Sequence, residues 1–376
     1  MVVANPPYMG SKNMNKWLGD WIKTHYKDVK GDLFSCFMMR NVGIGAEHAQ
    51  LGFMTPYVWM FIGTYEKLRK FVIQQNTITS LIQLEYSGFS GATVPICTFT
   101  LQKGYCPGYR GGYVRLSDFV GADQQAPRAL EALANPDCGW FYRANASRFE
   151  AIPGSPIAYW ATSSTISAFD NPLLGDLIPV KKGLDTGDND TFLRLWHEVS
   201  ISRMGIGSKN QKEFFASCAK WAPHDKGGEY RKWYGNKEWV INWENNGSAL
   251  KSSSANLRSE RYYFNDAVTW NSLSSSLCSF RLSDYGAISN TAGSSMFPRQ
   301  ETLLYLALMN SSVVRRLFEF LAPTLNYSAG PVGQIPRACI THKAVIEGLA
   351  SDSVANAKQD WNSFETSWDF TRHPLV

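Results

Sequence analysis

Along the first hundred residues the apolar positions switch between strand and helix periods. Val2-Val3-Ala4 is a short apolar run that stops at Asn5-Pro6-Pro7-Tyr8. Two consecutive prolines end a strand and fix an extended turn. Residues 16–26 predict a helix with Trp17, Trp21 and Ile22 on one face. A second helix opens at Asp32-Leu33-Phe34, with Asp32 as N-cap and Leu33, Phe37 and Met38 as its apolar face. Residues 51–54 predict a buried strand, 65–73 a helix, and 78–84 and 94–101 two more strands. Strands alternating with helices predict a mostly parallel sheet that ends in a hairpin. Because residues 2–4 look like an interior strand, the chain is expected to begin inside a domain.

The pattern weakens over 118–156, where Ala, Pro and Gln are prominent; a linker with one short helix near 129–133 is expected. Beyond it the sequence is rich in Trp, Gly, Ser and Lys, with loops expected at Ser252-Ser253-Ser254 and Ser274-Ser275-Ser276. Residues 301–321 predict one amphipathic helix lined by Leu304, Leu308, Leu317 and Leu321. Residues 344–370 predict one or two helices with Trp361, Phe364 and Trp368 as an aromatic stripe. That stripe is expected to stay exposed and to lead into a helical spacer.

Composition narrows the classes. The 376 residues are 44% hydrophobic and 18% charged, enough for a sizeable core in one or two domains. The net charge of +5 is unevenly spread: 9 basic against 6 acidic side chains in 1–100, and 14 against 10 in 181–262. Two basic blocks suit a polyanion partner. The 7 cysteines are odd in number and lack C-x-x-C spacing, so neither a disulfide framework nor a zinc site is expected. The six histidines show no metal spacing; His197 and His224 are expected at the surface or in loops. With no signal-peptide start and no apolar run of about 18 residues, a cytoplasmic protein away from membranes is expected.

Asn5-Pro6-Pro7-Tyr8 carries the sharpest chemistry. The exocyclic amine of adenine is a poor nucleophile, because its lone pair is delocalised into the ring. Two acceptors aimed at its N–H groups would pull the nitrogen towards a pyramidal geometry. The Asn5 side-chain oxygen and the Pro6 carbonyl can be those acceptors, and the prolines hold the carbonyl rigidly. Tyr8 can stack on a base flipped out of the duplex.

This loop resembles motif IV of the amino-methylating DNA methyltransferases, (D/N/S)-P-P-(Y/F/W). The resemblance continues through Asp32-Leu33-Phe34 to Arg40, through Gly52-Phe53-Met54-Thr55-Pro56, and through Phe89-Ser90-Gly91-Ala92-Thr93-Val94-Pro95-Ile96. It implies S-adenosylmethionine as methyl donor, with Phe37 and Pro7 against the cofactor and Phe89 supporting the flipped base. The second half is similar to target-recognition regions of fused restriction–modification enzymes, through residues 182–192, 226–233, Asn310-Ser311-Ser312 and Gly333-Gln334-Ile335-Pro336. The whole chain resembles the methyltransferases of BREX phage-defence systems, which implies duplex DNA and other defence proteins as partners.

The resemblance implies an α/β fold: the C-terminal part of a Rossmann-like methyltransferase sheet (1–117), the linker (118–156), an α+β target-recognition domain (157–340) and a helical tail (341–376). Within the basic block, Lys181, Lys182, Thr186, Arg194, Lys209, Lys226, Tyr230, Arg231 and Lys232 are the candidate DNA contacts. Gly183, Gly187, Gly227 and Gly228 are candidates for close backbone approach to phosphate. The family's glycine-rich cofactor turn is not recognisable; Gly43-Ile44-Gly45 and Gly205-Ile206-Gly207 read as turns. The chain alone is therefore expected to be inactive. A non-catalytic DNA-recognition module is the alternative, and glutamine methylation on protein a weaker one.

Overall fold

The computed structural model describes residues 1–89, 94–274, 277–324 and 326–375. The chain divides into two compact units, Met1–Asp170 and Asn171–Val376.

The first unit is an α/β layer around a six-stranded sheet of order β1-β2-β4-β3-β5-β6. The strands are β1 (Val2–Ala4), β2 (Gln50–Pro56), β3 (Asn76–Gln83), β4 (Ile96–Lys103), β5 (Gly111–Arg115) and β6 (Phe141–Ala144). β1 pairs parallel with β2 and β3 with β5, whereas β4 is antiparallel to both β2 and β3, and β6 to β5. Thus β1, β2, β3 and β5 run one way, and the sheet is mixed rather than mostly parallel. The hairpin partner β4 inserts itself between β2 and β3, because a short return can only pair antiparallel.

Helices α1 (Lys16–His25), α2 (Leu33–Ile44), α3 (Glu66–Gln75) and α4 (Ala122–Ala134) accompany the sheet. Two faces differ from expectation. In α1 only Ile22 is buried; Trp17 is 73% exposed and Trp21 stacks on His25 at 4.4 Å. In α2 the buried positions are Phe34, Ser35, Cys36, Met38, Asn41 and Val42, while Leu33 and Phe37 are half-buried. The i, i+4, i+7, i+8 stripe from Phe34 faces the core, about one position on from the expected one.

The stretch expected as a linker is packed structure. Its helix α4 is 13 residues long, and Val114, Leu116 and Ala132 form a small core with Phe119, Trp140 and Phe141 against it. The buried Arg69 guanidinium donates to the carbonyls of Gly154, Trp59 and Ile62 at 2.7–2.8 Å, tying this stretch to the turn after β2.

The second unit has two four-stranded sheets, β13-β9-β10-β8 and β12-β11-β14-β7. Their strands are β7 (Val180–Lys181), β8 (Leu193–Leu195), β9 (Trp221–Asp225), β10 (Trp239–Asn242), β11 (Ala267–Asn271), β12 (Phe280–Ser283), β13 (Ile288–Ser289) and β14 (Gly293–Met296). Pairing is antiparallel except for β13 with β9. Trp243, Phe264, Phe214, Tyr263 and Ile241 anchor one core.

The expected 301–321 helix is two helices, Thr302–Met309 and Ser312–Leu321. The Ser311 side chain caps the second by accepting from the Val314 N–H. Asn310, at the break, exchanges two hydrogen bonds with the Phe280 backbone on β12. The tail is a helix, Lys343–Trp361, that packs on Thr302–Met309. Contrary to expectation, Trp361 is 3% exposed, and Trp368, half-buried, meets the Tyr285 ring at 5.6 Å. Phe364 and Trp368 lie past the helix end, so the three aromatics do not form one helical stripe. Of the serine-loop residues, Ser275 and Ser276 lie outside the described set.

Candidate active site and nucleic-acid surface

Asn5 follows directly from β1, Tyr57 from β2, and Glu85-Tyr86 come just after β3. Because these three strands run the same way, the residues share the carboxyl edge of the sheet, where open α/β sheets place their ligands. The Tyr57 N–H donates to the Pro95 carbonyl at 2.7 Å, bringing the start of β4 to the same edge.

In the loop itself Asn5, Pro7 and Tyr8 are exposed and Pro6 is buried. The Tyr8 hydroxyl donates towards the Asn5 Oδ1 at 3.2 Å, with the Met54 carbonyl at 3.4 Å. Its ring meets Phe34 edge-on, centroids 6.4 Å apart. Burial raises the Tyr8 hydroxyl above its ordinary pKa, and the nearby Cys97 adds to this. Cys97 itself is pushed up to about 12 by burial, so it is a neutral thiol beneath the site.

Phe37 stands half-buried on α2 between buried neighbours, which leaves part of its ring uncovered. Phe89, in the connection from β3 to β4, is 40% exposed on the same edge. The following Ser90, Gly91, Ala92 and Thr93 lie outside the described residues.

Sequence reasoning missed Tyr57 and Tyr86. The Tyr57 hydroxyl is raised above its ordinary pKa by burial first, then by the charges that Tyr86, Glu85 and Cys97 can carry. An aromatic directly after the strand-ending Pro56 was the available signal. Further along the edge, Arg115 lies over the Trp160 ring at 4.6 Å.

The second unit sorts the candidate DNA contacts into two groups. Thr186 is buried and donates to Asn189 at 2.6 Å; Arg194 donates to the Asp190 and Leu193 carbonyls. Lys209 pairs with Asp266, Arg231 with Asp360, and Lys232 reaches the Asn310 carbonyl. Each of these five has a partner within the unit, and Lys209 nonetheless stays exposed. Lys182 and Tyr230 are exposed, Lys181 is half-buried, and Lys226 sits 3.7 Å above the Trp239 ring.

Glycine placement also corrects an expectation. A Cβ on Gly183 would lie 2.0 Å from the Ser289 carbonyl oxygen, so its close approach is to β13 of its own unit. His224, expected at the surface or in a loop, is buried on β9 together with its neighbour Asp225. His224 makes ring-nitrogen hydrogen bonds with the Ile288 carbonyl at 2.8 Å and Asn290 at 3.0 Å, and burial pulls its pKa down to about 3. Asp225 accepts from Ser283 and Tyr285. His197 is exposed. Among the described residues no group of three or more His, Cys, Asp or Glu side chains is placed to hold a metal ion. Nor is any helix among them long and apolar enough to cross a membrane.

Residues 1–89, which hold the carboxyl-edge loop, match the model of the Eco57I restriction-modification methylase family. Over its whole length the chain is 35% identical to the adenine-specific methyltransferase PglX of Lacticaseibacillus casei (strain Zhang) and 36% identical to the adenine-specific methyltransferase BrxX of Escherichia coli O9:H4 (strain HS). It covers 32% and 30% of those proteins, so it spans about a third of the curated relatives it matches. The fold is similar to the Type IIL restriction-modification enzyme MmeI in its complex with DNA, with TM-score 0.60 at 11% identity over 98% of this chain and 50% of that one.

Proposed function

We propose that this chain forms part of a site-specific DNA adenine N6-methyltransferase of a BREX-type phage-defence system, acting in the cytoplasm with other defence proteins. The observation that carries this is the Asn5–Tyr8 loop at the carboxyl edge of the sheet, with an exposed acceptor on Asn5 and an exposed ring on Tyr8.

S-adenosylmethionine, when bound, supplies an electrophilic methyl group. The partly uncovered ring of Phe37 suits packing on its adenine, and Pro7 is exposed in the Asn5–Tyr8 loop. The chain's own residues prepare the acceptor. Asn5 Oδ1 and the Pro6 carbonyl accept from the two N–H groups of a flipped adenine and turn its lone pair outwards. Tyr8 stacks on that base, with Phe89 as a second wall; such stacking contributes about 1–3 kcal/mol against the cost of flipping. The amino nitrogen would take the methyl as its bond to the sulfonium sulfur breaks, leaving the thioether, and would then release one proton to solvent.

The second unit is proposed to read DNA, with Lys182, Lys209 and Tyr230 as exposed contacts and the half-buried Lys181 and Lys226 as further ones. The 376 residues alone contain no recognisable glycine-rich cofactor turn and are proposed to be inactive by themselves. Calorimetry on this chain with S-adenosylmethionine tests that point, and a micromolar dissociation constant overturns it. For the function as a whole, genomic DNA from cells carrying the full-length natural protein is sequenced for modified adenine. A recurrent methylated motif that vanishes with Asn5→Ala supports the proposal. Methylation unaffected by Asn5→Ala overturns it in favour of a DNA-recognition module.

A further inference from the structure

We infer that Asp32 is a positioning residue for the base site, joining the loop that carries Asn5 and Tyr8 to the helix that carries Phe37. The inference rests on the reading of that loop as the base site.

The geometry is specific. Asp32 is the N-cap of α2, with extended backbone at φ −151° and ψ 154°. Its Oδ1 accepts from the Phe34 N–H at 3.2 Å, as an N-cap should. The same oxygen also accepts from the Met9 N–H at 2.9 Å, across 23 residues of sequence. Met9 is the residue directly after Tyr8. An ordinary cap satisfies only amides of its own helix; this one takes its shorter hydrogen bond from the loop.

Backbone pairing reinforces the tie. Gly10 and Asp32 form an antiparallel bridge, the Leu33 N–H donates to the Met9 carbonyl at 3.0 Å, and the Ser11 N–H donates to the Gly31 carbonyl at 3.0 Å. Phe34, whose amide Asp32 holds, is the residue that braces the Tyr8 ring. One carboxylate therefore fixes the peptide after Tyr8 and the turn bearing its ring support.

This matters for chemistry more than for affinity. An acceptor works on the amine only if it stays aimed where the nitrogen becomes pyramidal, which is a demand of the transition state. Without Asp32 the bridge remains, but the Met9 and Phe34 amides lose their shared acceptor and the loop gains freedom relative to α2. DNA affinity, set mostly by phosphate contacts, is left in place.

The test uses the full-length natural protein in single-turnover methylation of duplex DNA carrying its target site, with Asp32→Ala, Asp32→Asn and Asn5→Ala in parallel. Asp32→Ala is expected to lower the methylation rate constant by about ten- to a hundredfold, as a displaced reacting group does. Its DNA dissociation constant should stay within about twofold of wild type, since the lost contact is not to phosphate. Asp32→Asn keeps an oxygen that accepts the same two N–H groups and should recover most of the rate. A rate constant for Asp32→Ala equal to wild type overturns the inference. So does Asp32→Asn failing as badly as Asp32→Ala, because then acceptance is not what the residue supplies; this second variant decides the matter even where Asp32→Ala folds poorly. If Asn5→Ala methylates normally, the base-site reading itself falls. If Asn5→Ala is dead while Asp32→Ala is normal, only the role of Asp32 falls.

Discussion

The Tyr8 hydroxyl lies 3.2 Å from the Asn5 side-chain oxygen, three residues back along the chain. A hydroxyl that donates there orients the amide, since only its oxygen can accept, and that oxygen keeps a second lone pair for a base. On the proposed reading of the loop, ring and hydroxyl of Tyr8 have separable tasks. Tyr8→Phe keeps the stacking face and loses the clamp; in the full-length protein it should slow adenine methylation by less than about tenfold, roughly one hydrogen bond's worth. Tyr8→Ala loses the stacking as well and should cost about ten- to a thousandfold, in line with about 1–3 kcal/mol for a stacked base plus that bond. Equal rates for the two variants, measured by tritiated methyl incorporation, would show that the ring is not against the base.

A second prediction separates cations that hold the fold from cations that face outwards. Lys182 is exposed, whereas Arg231 pairs with Asp360 and lies 5.0 Å from the Trp361 ring. Lys182→Glu should reduce the slope of log affinity against log salt by about one unit while leaving the melting temperature alone. Arg231→Glu should lower the melting temperature, because it places a carboxylate beside Asp360. Fluorescence anisotropy over a salt series, with thermal melts on the same samples, checks both. An unchanged slope for Lys182→Glu removes it from the DNA surface.

Strand and helix positions in the first unit were legible where one period runs through a whole element, as in the alternation of β2 and the Leu68, Val72 and Ile73 face of α3. The loop at Asn5–Tyr8 was legible because its chemistry lies in four adjacent residues. What escaped depends on partners distant in sequence. Met9 and Asp32 meet across 23 residues, and nothing local marks Asp32 as more than an N-cap. The leucines of 301–321 keep a helical spacing on both sides of Asn310 and Ser311, so periodicity alone gave no break; Ser311 caps the second helix and Asn310 is held by Phe280 on β12. Burial of His224 and Asp225 likewise depends on Ile288, Asn290, Ser283 and Tyr285, all some sixty residues later. Cations were the least legible, because a lysine or arginine in a basic block looks the same whether it meets solvent or an aspartate.

His224 makes stability depend on pH. Burial holds its folded-state pKa at about 3, against an ordinary 6.5. Between those values the unfolded chain binds the proton and the folded one does not, so stability falls as pH drops and recovers as pH rises towards 6.5. The slope from this group approaches about 1.4 kcal/mol per pH unit. Burial also raises the pKa of Asp225, which acts in the opposite sense, so the comparison is best made by difference. His224→Gln should be less stable than wild type at pH 7, and its stability should fall less steeply between pH 6 and 4. Urea unfolding at several pH values measures this; parallel curves for the two proteins would mean that folding does not shift the His224 pKa.

The last prediction concerns the tail helix. Trp361 is 3% exposed and packs against Gly235, whose φ of +124° suits glycine. A Cβ at Gly235 would sit 2.8 Å from the Arg231 Cδ and 3.1 Å from the Trp361 Cε3, so glycine here serves both backbone conformation and space. Arg231 covers the indole, and its Asp360 partner is 63% exposed on the side chain. These features predict a ranking. Trp361→Ala removes a fully packed indole and should cost about 3–5 kcal/mol. Asp360→Ala breaks an ion pair screened by solvent and should cost no more than about 1 kcal/mol. Gly235→Ala should fall between them, because a positive φ strains alanine by about 1–2 kcal/mol and the indole must shift as well. Chemical denaturation of the three variants tests the order. If Trp361→Ala costs less than Asp360→Ala, the helix is held by its surface charge and not by the indole.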